Sequence, residues 1–88
     1  MNSVFKALSD PSRRKILKLL KDRDMNAGEL LENFDMTGAS LSHHLSILKN
    51  ADLVQCEKKG QFMIYSLNTT VFQEIIEWFF ELNGGKNE

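Results

Sequence analysis

The residues between positions 36 and 51 carry the clearest chemical signal in the chain. At about 100° per residue, Leu41, Leu45 and Leu48 fall on one side of a helix. The opposite side is free of carboxylates, and short polar groups on such a surface can approach base edges in the major groove of DNA. The sequence therefore predicts a base-reading helix, with an ordinary serine-rich solvated surface as the alternative. The outward residues are Ala39, Ser42, His43, Ser46 and Asn50.

The preceding residues predict how this helix is held in place. Residues 27–34 have helical apolar spacing and follow a capping residue, Asn26, while Thr37 is a suitable N-cap for the next helix. Residues 35–37 form the turn between the two helices. Two short helices joined by a tight turn are typical of a helix-turn-helix.

Beyond residue 51 the pattern becomes strand-like. Residues 53–59 alternate in part, and residues 61–67 are rich in apolar and aromatic side chains, with Gly60 as a permissive turn residue between them. This predicts a two-stranded hairpin with a basic tip that can lie along a phosphate backbone as a wing. An ordinary solvated turn is the alternative. The tip consists of Lys58, Lys59, Gly60 and Gln61.

Two further helices are predicted before the helix-turn-helix. The first covers residues 3–8, and the second begins at Pro11, after the cap sequence Ser9-Asp10, and runs to about Arg23. Their inner apolar positions are Val4, Phe5, Leu8, Ile16, Leu17 and Leu20.

The last predicted helix, from residue 69 or 70 to about residue 82, is apolar over too wide an arc. Its apolar side chains span about 200°, whereas packing on a single domain needs about 100° or somewhat more. The surplus predicts a homodimer, with an interface to another protein as the alternative. The expected dimer residues are Val4, Phe5, Leu8, Val71, Phe72, Ile75, Trp78, Phe79 and Leu82.

Composition limits the remaining possibilities. The 88 residues are expected to form one domain over 1–88, in which 84–88 are a disordered polar tail. There is no signal-peptide layout and no run of about 18 apolar residues, which predicts a cytoplasmic protein without membrane insertion. Cys56 is the single cysteine, so an intrachain disulfide is excluded. We expect it to pack on a strand, with a redox switch as the alternative.

The charge is distributed unevenly along the chain, although the net charge is only −1. Basic residues dominate the first 23 positions, whereas the last helix carries Glu74, Glu77 and Glu81 without a basic residue. An acidic helix is repelled by phosphates, so we expect the last helix to face away from DNA.

Three segments in order resemble the ArsR/SmtB family of bacterial winged-helix repressors, and its SdpR-like autorepressor branch most closely. They are residues 8–17, 40–48 and 58–67, and the resemblance extends over about residues 3 to 82. It implies a mainly helical winged helix-turn-helix with a small β-hairpin, in the order four helices, two strands and a fifth helix. It further implies a homodimer formed through the first and last helices, which represses transcription from palindromic promoter DNA, its own promoter included.

The resemblance also implies which residues contact DNA. Ser42 and His43 match contact residues of relatives, whereas Gly38 and Ala39 stand where relatives often carry polar contact residues. The expected double-stranded DNA contacts are Thr37, Ala39, Ser40, Ser42, His43, Ser46 and Lys49 on the helix and Lys58, Lys59, Gly60 and Gln61 on the wing.

No cofactor or metal is expected. Asn26 and Gly28 stand where metal-sensing relatives carry cysteines, and residues 68–88 contain neither His nor Cys. The adjacent His43 and His44 point about 100° apart on a helix, so they do not readily chelate one ion. We expect His44 to pack and to form hydrogen bonds.

Catalysis is not expected either. Ser40 and His44 are close enough in sequence to touch, yet nothing orients the histidine or stabilises an oxyanion. The alternative function is therefore not an enzyme but a winged-helix protein-interaction module that uses the last helix. Without a metal, we expect the signal that releases DNA to be an anti-repressor protein rather than a small molecule.

Overall fold

The computed structural model describes residues 2–83, and the expected tail at residues 84–88 lies outside them. The chain is mainly helical with a small antiparallel sheet, as the sequence predicts. Among residues 2–83, no helix combines the length and hydropathy needed to cross a membrane. The elements are α1 (Asn2–Leu8), α2 (Pro11–Asp22), β1 (Met25–Asn26), α3 (Ala27–Leu31), α4 (Gly38–Asn50), β2 (Val54–Lys59), β3 (Phe62–Leu67) and α5 (Thr69–Leu82).

The predicted hairpin is present as β2 and β3, and a third short strand that the sequence analysis did not predict, β1, extends the sheet. The order is β1-β3-β2, and β1 pairs antiparallel with β3 through Met25 opposite Tyr65 and Asn26 opposite Ile64. Two residues are too few to show the alternation by which a strand is recognised in sequence. The strand forms because β3 offers a free edge and because Met25 is buried there.

Helix α3 begins as predicted but ends earlier. The Asn26 side chain accepts a hydrogen bond from the Glu29 amide at 2.8 Å, and the Glu29 carboxylate accepts one from the Asn26 amide at 2.9 Å, which completes a capping box. The predicted end at Phe34 was wrong. The amides of Asn33 and Phe34 bond three residues back, at 3.0 Å each, so the chain tightens into a turn after Leu31.

The core lies where α1, α2, α3 and α4 meet the sheet. It contains the leucine side of α4 and the inner side of α2 that the sequence predicts, together with Leu30 and Leu53, which are both fully enclosed. One buried residue of this region, Arg13, is charged. Its position, with Ile16, Leu17 and Leu20, continues the inner side of α2 by one turn.

The start of α2 predicts a pH dependence of stability. Partial burial acts to raise the pKa of Asp10, but the hydrogen bond from the Arg13 amide and the proximity of His44 and the Arg13 guanidinium lower it below its ordinary value of 3.8. A depressed pKa in the folded state stabilises the fold above the unfolded-state pKa, and this contribution is lost as the pH falls through the folded-state value. Asp10→Asn, which keeps a capping oxygen, should therefore lose less stability than the wild type on acidification from pH 5 to pH 2.5.

Urea unfolding at fixed protein concentration across this interval checks the prediction. Asp24→Asn, which removes an exposed carboxylate from the loop before β1, is the control. Identical pH dependence of wild type and Asp10→Asn would contradict it.

Candidate nucleic-acid interface

Helix α4 is fixed on one side by burial and open on the other. Leu41, Leu45 and Leu48 are each no more than 3% exposed. This orientation turns the opposite side of the helix to solvent, as the sequence predicts. The predicted contact residues of this helix are all exposed: Thr37, Ala39, Ser40, Ser42, His43, Ser46 and Lys49, and Asn50 is exposed beside them.

These exposed residues do not occupy equivalent positions. On a helical projection, Ala39, His43 and Ser46 lie near the middle of the outward surface, whereas Ser40, Ser42 and Lys49 lie toward its edges. The middle group has hydroxyl, imidazole and methyl groups on short stems. It is therefore the part of α4 that can come closest to base edges.

The first turn of α4 uses part of its own polar groups. The Thr37 hydroxyl oxygen accepts a hydrogen bond from the Ser40 amide at 3.1 Å and donates one to the Ser40 hydroxyl oxygen at 3.2 Å. Thr37 is thus the N-cap that the sequence predicts, and its hydroxyl hydrogen is used within the helix. Ser40 keeps its own hydroxyl hydrogen for another acceptor.

The turn before α4 is attached to α2. The Lys15 ammonium group donates to the Asn33 carbonyl at 2.6 Å and lies 4.8 Å from the centre of the Phe34 ring. These two contacts satisfy a carbonyl that the short α3 leaves open and cover the aromatic ring with a cation. They fix the turn from which α4 starts.

The wing follows α4 after a sharp turn. Asp52 adopts a left-handed conformation with φ 60°, and the Leu53 amide bonds back to the Leu48 carbonyl at 3.0 Å. Because Leu53 and Val54 are buried, the direction in which β2 leaves the core is fixed relative to α4.

The tip of the wing has the predicted shape. Lys59 pairs with Phe62 across the hairpin, so Gly60 and Gln61 form a two-residue loop. Gly60 has φ 64°, in the region where glycine carries no steric penalty. Both lysines, Gly60 and Gln61 are exposed, and the Lys59 ammonium lies 3.9 Å from the Glu57 carboxylate. Lys58 is the lysine of the tip at which the predicted phosphate contact can be tested.

Cys56 lies on β2, half-buried and opposite Tyr65 on β3, in the packing position that the sequence predicts. Burial and the neighbouring Cys56 thiol raise the pKa of the Tyr65 hydroxyl. The Tyr65 side chain therefore stays neutral over the physiological range and serves as packing at the base of the wing.

The predicted dimer residues divide into three groups. Val4 and Ile75 are buried in the core of this chain and have little surface left to offer a partner. The half-buried residues Leu8, Val71 and Phe72 pack beside that core, and Trp78 is half-buried as well. The remaining residues are exposed, together with two that the predicted set omitted, and form what we call the α5 apolar surface: Phe5, Ile76, Phe79, Phe80 and Leu82.

Aromatic contacts connect α1 to this surface. The rings of Phe5 and Trp78 lie 5.3 Å apart between centroids, and those of Trp78 and Phe79 lie 5.2 Å apart. Such pairs stabilise the arrangement beyond the area that they bury. Ile76 and Phe80 are among the apolar residues of α5 that span the arc of about 200°, so the sequence pattern already indicated that they belong to its apolar surface.

His44 lies where the sequence predicts, at the edge of the leucine side of α4. Its side chain is 17% exposed, and its Nδ1 atom lies 3.2 Å from an Arg13 guanidinium nitrogen. Sequence reasoning missed Arg13, although the helical spacing from Ile16 and Leu20 places position 13 on the inner side of α2.

Comparison with known proteins gives consistent results. Residues 10–55 match the family described as bacterial regulatory protein, arsR family. The chain is 55% identical to the transcriptional repressor SdpR of Bacillus subtilis (strain 168), over 100% of this chain and 99% of that protein. It is 38% identical to the arsenical resistance operon repressor of Staphylococcus aureus, over 88% of this chain and 74% of that protein. An ArsR-like transcriptional regulator from Rhodococcus sp. RHA1 superposes with a TM-score of 0.88 at 26% identity, covering 96% of this chain and 77% of that one.

Proposed function

The chain belongs to the ArsR family of bacterial regulatory proteins, and from this membership we propose that it is a repressor that binds palindromic promoter DNA as a homodimer, without a metal. ArsR-family members are transcriptional regulators and not enzymes. The Bacillus relative is a transcriptional repressor, which supports repression rather than activation. The promoter of its own gene is the first target we propose.

One observation carries the proposal: the outward surface of α4. Its middle is a carboxylate-free group of small polar side chains on a helix whose other side is buried by leucines. A helix that is only solvated carries acidic and basic pairs on its outer side. Here a duplex can approach without repulsion, and Ser42, His43 and Ser46 supply the groups that select bases.

The dimer supplies the spacing. Two recognition helices held about 34 Å apart read half-sites one helical turn apart, which accounts for a palindromic operator. The distribution of charge agrees with an orientation in which α5 faces away from DNA. This helix carries exposed carboxylates, which DNA phosphates would repel: Glu74, Glu77 and Glu81.

Metal independence is supported by what the residues at the start of α3 do. The Asn26 side-chain oxygen is occupied as the cap of α3, accepting from the Glu29 amide. A glycine, Gly28, stands on the same turn and offers no side chain to a metal. Within residues 2–83, moreover, no three or more His, Cys, Asp or Glu side chains gather closely enough to hold an ion. We therefore propose that a partner protein, not a metal, releases the repressor from DNA.

Binding to DNA from upstream of its own gene tests the function. Fluorescence anisotropy at several salt concentrations, with EDTA present and with a scrambled duplex as the control, should give tight binding to the first duplex alone. Equal and weak binding to both duplexes would contradict the proposal and favour a protein-interaction module instead.

The wing predicts a separate effect on salt dependence. Lys58→Ala should weaken binding to all sequences and reduce the slope of log affinity against log salt by about one, because one phosphate contact is lost. Lys21→Ala removes the same charge from the end of α2 and is the control. An unchanged slope for Lys58→Ala, or an equal change in both variants, would show that the wing lysine does not contact phosphate.

A further inference from the structure

Arg13 is a charged residue in the interior of the protein. Its exposed fraction is 9%, and it is the one charged residue among positions 2–83 that is buried to this extent. Burying a guanidinium costs free energy unless its N–H groups find acceptors. The acceptors that Arg13 finds lie on two different helices.

The first two acceptors belong to the end of α1. The Arg13 Nε atom donates to the Ala7 carbonyl at 2.8 Å, and one terminal nitrogen donates to the Lys6 carbonyl at 3.2 Å. Carbonyls in the last turn of a helix have no partner within it. The guanidinium therefore closes the end of α1 from a position on α2.

The third contact reaches the recognition helix. The other terminal nitrogen of Arg13 lies 3.2 Å from Nδ1 of His44, which is on α4. A guanidinium can only donate, so Nδ1 is the acceptor in this contact and carries no proton there. His43, the next residue, is one of the proposed base contacts, so a bond to the ring of His44 acts on α4 directly beside it.

We propose that Arg13 is a positioning residue for DNA recognition, which fixes the orientation of α4 relative to α1 through His44. The proposal rests on the proposed function, in which α4 enters the major groove. Helix α1 also contacts α5, through Phe5 and Trp78. The bond from Arg13 to His44 thus connects the α1 and α5 side of the molecule to the helix that reads DNA, and in a dimer it contributes to the angle between the two recognition helices.

The ring of His44 lies in polar surroundings. Three charged or titratable groups face it: Arg13, Asp10, whose carboxylate lies 3.8 Å from Nδ1, and His43, whose ring centre is 6.1 Å away. The contacts from α1 to this cluster are backbone carbonyls. Loss of the acceptor at Nδ1 would leave a guanidinium N–H without its partner on α4, so a positioning role predicts that DNA affinity depends on an acceptor at position 44.

Two variants of His44 separate this role from simple packing. His44→Asn keeps an acceptor oxygen on a short side chain that does not titrate, whereas His44→Leu fills the space without an acceptor. At pH 8, we expect His44→Leu to lose about tenfold in affinity for the promoter duplex, the effect of one hydrogen bond to a charged group, and His44→Asn to recover most of it.

The control for stability is Leu17→Val, a buried change one turn further along α2. It should lower the unfolding temperature and leave the affinity for the promoter duplex as in the wild type at a temperature where both proteins are folded. Equal affinity of His44→Leu and wild type, or equal losses of affinity in His44→Leu and His44→Asn, would overturn the positioning role.

A measurement without DNA keeps the two proposals apart. Nitrogen-15 NMR of the wild-type protein at pH 8 should show His44 with an unprotonated Nδ1 and Arg13 with an exchange-protected Nε–H. A proton on Nδ1 would overturn the inferred bond even if promoter binding succeeds. If the tautomer is as expected but the wild type does not select promoter DNA, the proposed function fails, and the positioning role fails with it.

Discussion

Phe79→Glu is expected to convert the protein from dimer to monomer at micromolar concentration while leaving each chain folded. Phe79 is 48% exposed and belongs to the α5 apolar surface, so the change removes no residue of the core. In a two-fold dimer the charge enters the interface twice. At about 2 kcal/mol for each truncated anchor, the dimer loses about 4 kcal/mol, a rise of roughly a thousandfold in its dissociation constant.

Sedimentation equilibrium measures this directly, and circular dichroism checks that the helices remain. Thr70→Glu adds the same charge to the same helix, on its acidic side, and should leave the dimer intact. The monomer should also lose most of its affinity for a palindromic duplex, since the two half-sites are then bound independently. A dimer that survives Phe79→Glu would place the interface elsewhere.

The sequence predicts those features that depend on neighbours along the chain. The capping sequence at Asp10 and Pro11, the cap at Thr37 and the leucine spacing of α4 each determine local structure within one or two turns, and the structure has all of them. The hairpin is equally local, because Gly60 and the residues on either side suffice to define its turn.

Features that depend on residues far apart in the sequence were not predicted. Strand β1 exists only because β3, about forty positions further along, offers an edge to Met25. The turn that follows the short α3 is held by Lys15 of α2, which donates to the Asn33 carbonyl. In both places a tertiary contact replaces a local preference, and a single stretch of sequence shows only one of the two partners.

The sequence could have predicted that Arg13 is buried, but not which groups it contacts. Helical spacing places position 13 on the inner side of α2, where a charged residue requires partners. Which partners it finds depends on where α1 ends and how α4 packs, and neither is visible from the spacing. The proposed dimer surface shows the converse. Its residue types could be read from the sequence, whereas the structure was needed to show that Val4 and Ile75 are already buried within one chain.

His43→Ala is expected to weaken binding to the promoter duplex by about 1 to 3 kcal/mol, the value of one good base contact, and to leave binding to a scrambled duplex unchanged. Ser42→Ala should act in the same direction. Both side chains are exposed, so the fold and the dimer should not change, as unfolding and sedimentation can verify. Ser3→Ala, an exposed change on α1, is the matched control. The ratio of the affinity for the promoter duplex to the affinity for the scrambled duplex distinguishes a base contact from a phosphate contact. Loss of a phosphate contact weakens binding to both duplexes alike, whereas loss of a base contact lowers this ratio. An unchanged ratio in both variants would remove Ser42 and His43 from sequence recognition.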